Sequence, residues 1–182
     1  MRAASAAALA IVAGAWIVLA DAAQRAAPVL PAEIRAQVPA LRLQGSGELT
    51  FFGLSVYDGY YWSVEPGFSF AHPFALDLVY RRAFHGHRIA ARSVDEMEKL
   101  GHGTPAQRQR WGDAMASLFP DVAKGDRLTG YYVPGGGVRY FHNGAAIGAI
   151  DDTEFARAFF AIWFDPRSSR ADFRSKLLGE AP

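Results

Sequence analysis

The stretch from Leu128 to Phe164 constrains the fold more than any other. It opens with apolar and aromatic residues, Leu128, Tyr131, Tyr132 and Val133, turns through Pro134 to Gly137, and resumes at Val138, Tyr140 and Phe141. Glycine tolerates the positive φ of a tight turn and the flanks suit a pleated surface, so two antiparallel strands are expected. Asn143-Gly144 signals a second turn, and Ala145 to Ile150 supplies a lighter third strand. The apolar period then changes from two to about 3.6 at Phe155, Phe159, Ile162 and Trp163. Asp151 and Glu154 have the spacing of a capping box, and Pro166 ends the helix beyond Phe164. A helix this aromatic must be buried, and the adjacent meander is its nearest cover, so an α+β domain follows. Trp163 is expected in the core.

Residues 1–22 read as a secretory signal. Arg2 precedes the apolar run Ala6 to Ala20, and Ala20-Asp21-Ala22 offers small residues for cleavage after Ala22. The alternative is an uncleaved membrane anchor, because Ala3 to Ala20 is uncharged and sits at the short edge of a bilayer span. A periplasmic or secreted location is expected in the first case. The chain contains no Cys, which excludes a disulfide scaffold, a thiolate zinc site, an iron–sulfur cluster and a thiol nucleophile. Beyond the signal, residues 23–40 form a proline-containing lead-in with a helical turn at Glu33 to Gln37, and residues 41–182 form one domain.

Within that domain Leu41 and Leu43 begin a short strand, and Gly45-Ser46-Gly47 reads as a turn or bulge and not as a phosphate loop, since no helix follows it. Leu49 to Trp62 reads as one long strand with a turn around Asp58-Gly59 at its crowded aromatic end. Apolar residues on both parities imply burial from both sides or a face lining a cavity, and this makes Phe52, Leu54 and Tyr57 candidate ligand contacts. Phe68 and Phe70, then Phe74 to Tyr80, suggest a further pair of strands. His85 and His87 have the spacing of a metal pair on a strand, but no third ligand supports them, so no metal or cofactor is expected. Two helices follow: one capped by Ser93 with Glu96, the other by Thr104 with Gln107 and carrying Pro105 at its first position. A last short helix is capped by Ser169 with Asp172. The net charge of +1 and the small, interrupted basic cluster Arg167 to Lys176 argue against nucleic acid as a partner.

Three segments, FALDLVYRRAFHGHRIAARSVDEME, FPDVAKGDRLTGYYVPGGGVRYFHNG and FARAFFAIWFDPRSSRADFRSKLLG, together with Gly45 to Tyr57, resemble the chalcone-isomerase-like family over nearly all of the chain after residue 22. The resemblance implies an open-faced β-sandwich, a long antiparallel sheet with helices on one face. The family's enzymes close a chalcone to a flavanone with an arginine, a threonine, a tyrosine and an asparagine, whereas other members are non-catalytic and some bind fatty acids. Here Glu48 or Leu49 falls at the arginine, Phe52 at the threonine with Thr50 as a displaced substitute, His85 near the tyrosine and Arg92 near the asparagine. Stabilising a phenolate needs a cation or directed donors, and Leu49 and Phe52 supply neither. The resemblance therefore implies a non-catalytic protein binding a small apolar or amphipathic ligand such as a fatty acid, with Arg42, Thr50, Phe52, Leu54, Tyr57, Tyr80, His85 and Arg92 as candidate contacts. Two alternatives stay open: an interaction domain without a ligand cavity, whose partner is another protein, and an isomerase or lyase with acid–base groups drawn from Tyr80, His85, Arg42 or Arg92.

Overall fold

The structure is a computed structural model that describes residues 28–180; the expected signal or anchor at 1–22 lies outside them. Six strands form one antiparallel sheet in chain order: β1 Arg42–Phe51, β2 Leu54–Ser63, β3 Phe74–Tyr80, β4 Arg127–Val133, β5 Gly137–His142 and β6 Ala145–Ile150. Five helices accompany it: α1 Ala32–Gln37, α2 Gly86–Lys99, α3 Pro105–Leu118, α4 Thr153–Phe164 and α5 Ala171–Leu177. The α+β architecture of a long sheet with a layer of helices, α2 to α5, on one face is the one expected.

The alternation of side chains along each strand sorts the sheet into two faces. On the inner face, register pairs such as Tyr57 with Tyr80, Tyr61 with Leu76, Phe74 with Tyr132 and Leu78 with Leu128 carry the main core. Helix α4 lies on it as its periodicity requires: Phe160 meets Phe74 edge-on at 4.6 Å and Phe164 meets Tyr61 at 4.7 Å. Trp163 is buried. On the outer face, Leu30 and Ile34 of the lead-in and α1 cover Ala75, Tyr131 and Phe141. Asp77 is fully buried on this face, paired with Arg127 at 2.6 Å and accepting from Thr129 Oγ1 at 2.8 Å, and Arg127 also donates to the Val29 carbonyl.

Several local expectations are corrected. The run Leu49 to Trp62 is the hairpin of β1 and β2, broken at Phe52-Gly53, both at positive φ (48° and 74°); Asp58-Gly59 lies inside β2. The missed signal was the aromatic at the first turn position, where Asn or Gly is usual. Strand β1 does not end before Gly45 but continues through Gly47, and of the two readings for these glycines the bulge fits, as a shift of register between Leu43 and Gly45. Phe68 and Phe70 lie outside any strand, in the β2–β3 connection, and their rings close one end of the core. Helix α2 starts at Gly86, seven residues before the expected cap, so Ser93 sits inside it and its hydroxyl donates to the Ile89 carbonyl. Hydroxyls can do this within a helix, which is why a capping pattern alone misplaced the start. The two histidines consequently flank a helix N-terminus and are not on a strand. Asp152, not Asp151, caps α4, accepting from the amides of Glu154 and Phe155. Helix α5 has Arg170 at its N-cap and no side-chain cap. The Thr104–Gln107 box of α3 forms as read.

Candidate functional site

The hairpin β1–β2, the middle and end of α2 from Arg92 to Lys99, the end of α4 and the start of α5 converge on Tyr57. Its ring meets Tyr80 and Phe173 edge-on, each at 5.8 Å, and Tyr80 in turn meets Phe84 at 5.8 Å. Leu49 stands opposite Tyr57 in the register and packs against the same core. This aromatic floor ends in polar groups: Trp163 Nε1 donates to the Tyr57 hydroxyl at 2.9 Å. Glu96, largely buried, accepts from Lys99 at 3.0 Å and Ser169 Oγ at 3.1 Å and pairs with Arg92 at 2.5 Å. Arg170 donates to the Thr50 carbonyl at 2.5 Å, tying α5 to the hairpin.

Close approach is what allows this convergence. A Cβ on Gly59 would lie 2.6 Å from Phe173 Cζ, and one on Gly45 would run into the Lys176 and Leu177 carbonyls, so these glycines let α5 lie flat on the hairpin.

The electrostatics favour neutral phenols beside a fixed carboxylate. Burial pushes the Tyr57 hydroxyl up to about 12, against the Trp163 hydrogen bond and the positive charges of Arg170 and Arg92, which pull it down. Burial also raises Tyr80. For Glu96, burial acts upward but is outweighed by the Lys99 hydrogen bond and the charges of Arg92 and Lys99, and its carboxyl is held below the usual range. At neutral pH the cluster thus offers hydroxyl and indole dipoles and two guanidinium groups, and neither phenol is a ready proton acceptor.

Of the eight residues singled out from sequence, Tyr57, Tyr80 and Arg92 meet here, and Thr50 joins through its backbone. Phe52 and Leu54 stand at the exposed hairpin tip. His85 is on the outside, its Nδ1 2.9 Å from Asp121 Oδ2. Arg42 lies at the far end of β1, bonded to the Pro39 and Leu41 carbonyls. Sequence reasoning missed Trp163, Glu96, Ser169, Arg170 and Phe173 as site residues. The i, i+4 spacing of Arg92 and Glu96 was a usable signal; the rest depends on how α4 and α5 cross the hairpin. No group of three or more potential metal ligands occurs among the described residues.

Concavities among the described residues lie elsewhere. One of about 380 Å³ opens beside Ser46, Glu48, Asp58, Tyr60 and Arg81, and one of about 420 Å³ lies between α2 and α3. In the Tyr57 cluster, the rings of Tyr80 and Phe173 pack directly on Tyr57 between hairpin and helices.

A search of curated proteins finds no match. Among solved structures, a fatty-acid-binding protein of Arabidopsis thaliana superposes with a TM-score of 0.57 at 11% identity, covering 76% of this chain and 87% of that one. At that identity the likeness is one of fold. The sequence itself matches the chalcone isomerase-like family over residues 22–179, most of its length, and the protein belongs to that family.

Proposed function

We propose that this protein is a non-catalytic, periplasmic member of its family that binds a small amphipathic carboxylate, of fatty-acid type, between the β1–β2 hairpin, α2 and α5. The observation that carries this reading is the pairing of an aromatic floor, Tyr57, Tyr80 and Phe173, with two guanidinium groups, Arg92 and Arg170, at its rim. An acyl chain suits the former and a carboxylate the latter. The likeness in fold to a fatty-acid-binding protein supports the ligand class. Leu49 and Phe52, where the family's enzymes hold an arginine and a threonine, support the absence of chalcone cyclisation, because neither supplies a donor to a developing oxyanion. Binding requires the rings of the floor to give way, and the Arg170 bond to the Thr50 carbonyl is the contact that a movement of the hairpin tip away from α5 would have to break.

The filled state of the floor favours a second reading, an interaction domain with no ligand cavity. A fluorescent fatty-acid probe separates the two. Saturable binding, displaced by unlabelled fatty acid and weakened about tenfold by Arg92→Gln, as expected for one charge-assisted hydrogen bond, supports the carboxylate site. No saturable binding supports the interaction domain. Protein-dependent loss of chalcone absorbance above the spontaneous rate would overturn the non-catalytic assignment.

A further inference from the structure

The β1–β2 hairpin continues past its neighbour in the sheet. Strand β3 ends at Tyr80, opposite Tyr57, and the Arg81 amide donates to the Val56 carbonyl, so Thr50 to Ser55 project beyond the strand that supports the rest of β2. The projecting tip is apolar. Phe51 is 54% exposed, Phe52 90% and Leu54 53%, and the two phenyl rings lie edge-on at 4.5 Å.

The backbone makes the choice of residues more telling. Phe51 pairs with Leu54 across a two-residue turn, in which Phe52 has φ 48° and Gly53 φ 74°. A turn with both central residues left-handed is served by Asn-Gly, and a side chain with a Cβ there costs about 1–2 kcal/mol. Phe52 therefore accepts backbone strain to hold a phenyl ring in water, where its ring contact is with Phe51, itself half exposed.

Charge around the tip indicates its nature. Arg170 reaches the Thr50 carbonyl, the β3–α2 connection, which leaves the sheet at the same end, carries Arg81 and Arg82, and Arg88 follows in the first turn of α2. Arg82 and Arg88 are exposed and have no carboxylate partner among the described residues. The acidic groups nearby are engaged: Asp58 pairs with Arg81, Asp172 with Arg170 and Asp121 with His85. Glu48 stands four residues back along β1, away from the tip.

We propose that this hairpin docks into an anionic lipid surface, with Phe51, Phe52 and Leu54 in the boundary between headgroups and acyl chains and Arg82 and Arg88 on the phosphates. Aromatic side chains are favoured at that depth, and exposed arginines near the surface each add attraction to anionic lipid. A protein groove would also accept an apolar tip, but the unpaired arginines beside it match a surface of phosphates. The residues placed on the lipid, Phe51, Phe52, Leu54, Arg82 and Arg88, are not those of the Tyr57 floor or its rim, so this inference is tested separately from the carboxylate site.

The absence of cysteine allows a direct test. In the full chain, Phe52→Cys, Leu54→Cys and, as a control on the exposed face of α3, Ala106→Cys each accept one environment-sensitive fluorophore. Vesicles of phosphatidylglycerol and phosphatidylcholine should brighten and blue-shift the labels at 52 and 54 and leave 106 aqueous. The pair Arg82→Ser and Arg88→Ser should raise the lipid concentration required by about 30-fold, from roughly fivefold per arginine. Labels at 52 and 54 that stay aqueous overturn the proposal, as does an equal response at 106 or on phosphatidylcholine alone. A response without lipid that grows with protein concentration assigns the tip to a second copy, and an unchanged lipid requirement in the double arginine variant removes the phosphate assignment.

Discussion

Trp163 Nε1 donates to the Tyr57 hydroxyl at 2.9 Å, joining the last turn of α4 to β2 across 106 positions of sequence. The bond sits where the aromatic core gives way to the charged rim, so it has both a packing and a polar component. Replacing Trp163 by Ala should cost about 3–5 kcal/mol, the range for a buried aromatic that leaves a cavity. Trp163→Phe keeps most of the packing and loses the donor, and about 1–2 kcal/mol is expected. Denaturant unfolding measures both; a loss below about 1 kcal/mol for the alanine variant contradicts the assigned burial.

Gly45 and Gly59 define how near α5 lies to the hairpin. Gly45→Ala meets the backbone of Lys176 and Leu177, which cannot rotate away, whereas Gly59→Ala meets the ring edge of Phe173. Gly45→Ala should therefore destabilise by at least about 1–3 kcal/mol, the usual overpacking range, and by more than Gly59→Ala. The reverse order in thermal or denaturant unfolding would contradict the placement of α5.

Asp77 and Arg127 give a pH signature. Burial raises the Asp77 carboxyl above 3.8, with Arg127 and then Thr129 opposing. An acid whose folded pKa lies above its unfolded one binds more protons in the native state, so its contribution to stability falls as pH rises through the raised value. Arg127→Met leaves the carboxylate buried without its cation and should cost about 3–5 kcal/mol at neutral pH. The difference from wild type should shrink on acidification, as Asp77 takes up a proton. Unfolding titrations of both proteins, subtracted at each pH, would contradict this if the difference stayed constant.

Much of the sheet was legible because its signals are local. The Pro134–Gly137 and Asn143-Gly144 turns, the change of period at Phe155 and the Thr104–Gln107 box each occupy a few adjacent residues and formed as read. Errors arose where one pattern admits two geometries. A hydroxyl four residues after a carbonyl, Ser93 after Ile89, is compatible with a helix interior or with a cap. Phe52-Gly53 lacked the polar residue that marks most two-residue hairpins. The site was only half legible: the parity of β2 and β3 puts Tyr57 and Tyr80 on one face, but Glu96, Trp163 and Ser169 come together through helix packing that no local pattern encodes.

The expected export is tested by fractionating cells and sequencing the N-terminus. Cleavage after Ala22 predicts a chain starting at Ala23 in the soluble periplasmic fraction. Retention of Met1 would instead support an anchor.

The central claim is that the floor of Tyr57, Tyr80 and Phe173 beneath Arg92 and Arg170 receives an amphipathic carboxylate. Native mass spectrometry of the protein purified from its own compartment, followed by lipid extraction, tests it most directly. The account predicts a population heavier by the mass of a fatty-acid-like molecule, reduced in Arg92→Gln, with the same molecule in the extract. A single species at the mass of the bare chain, with no lipid above that from a control protein, would contradict it.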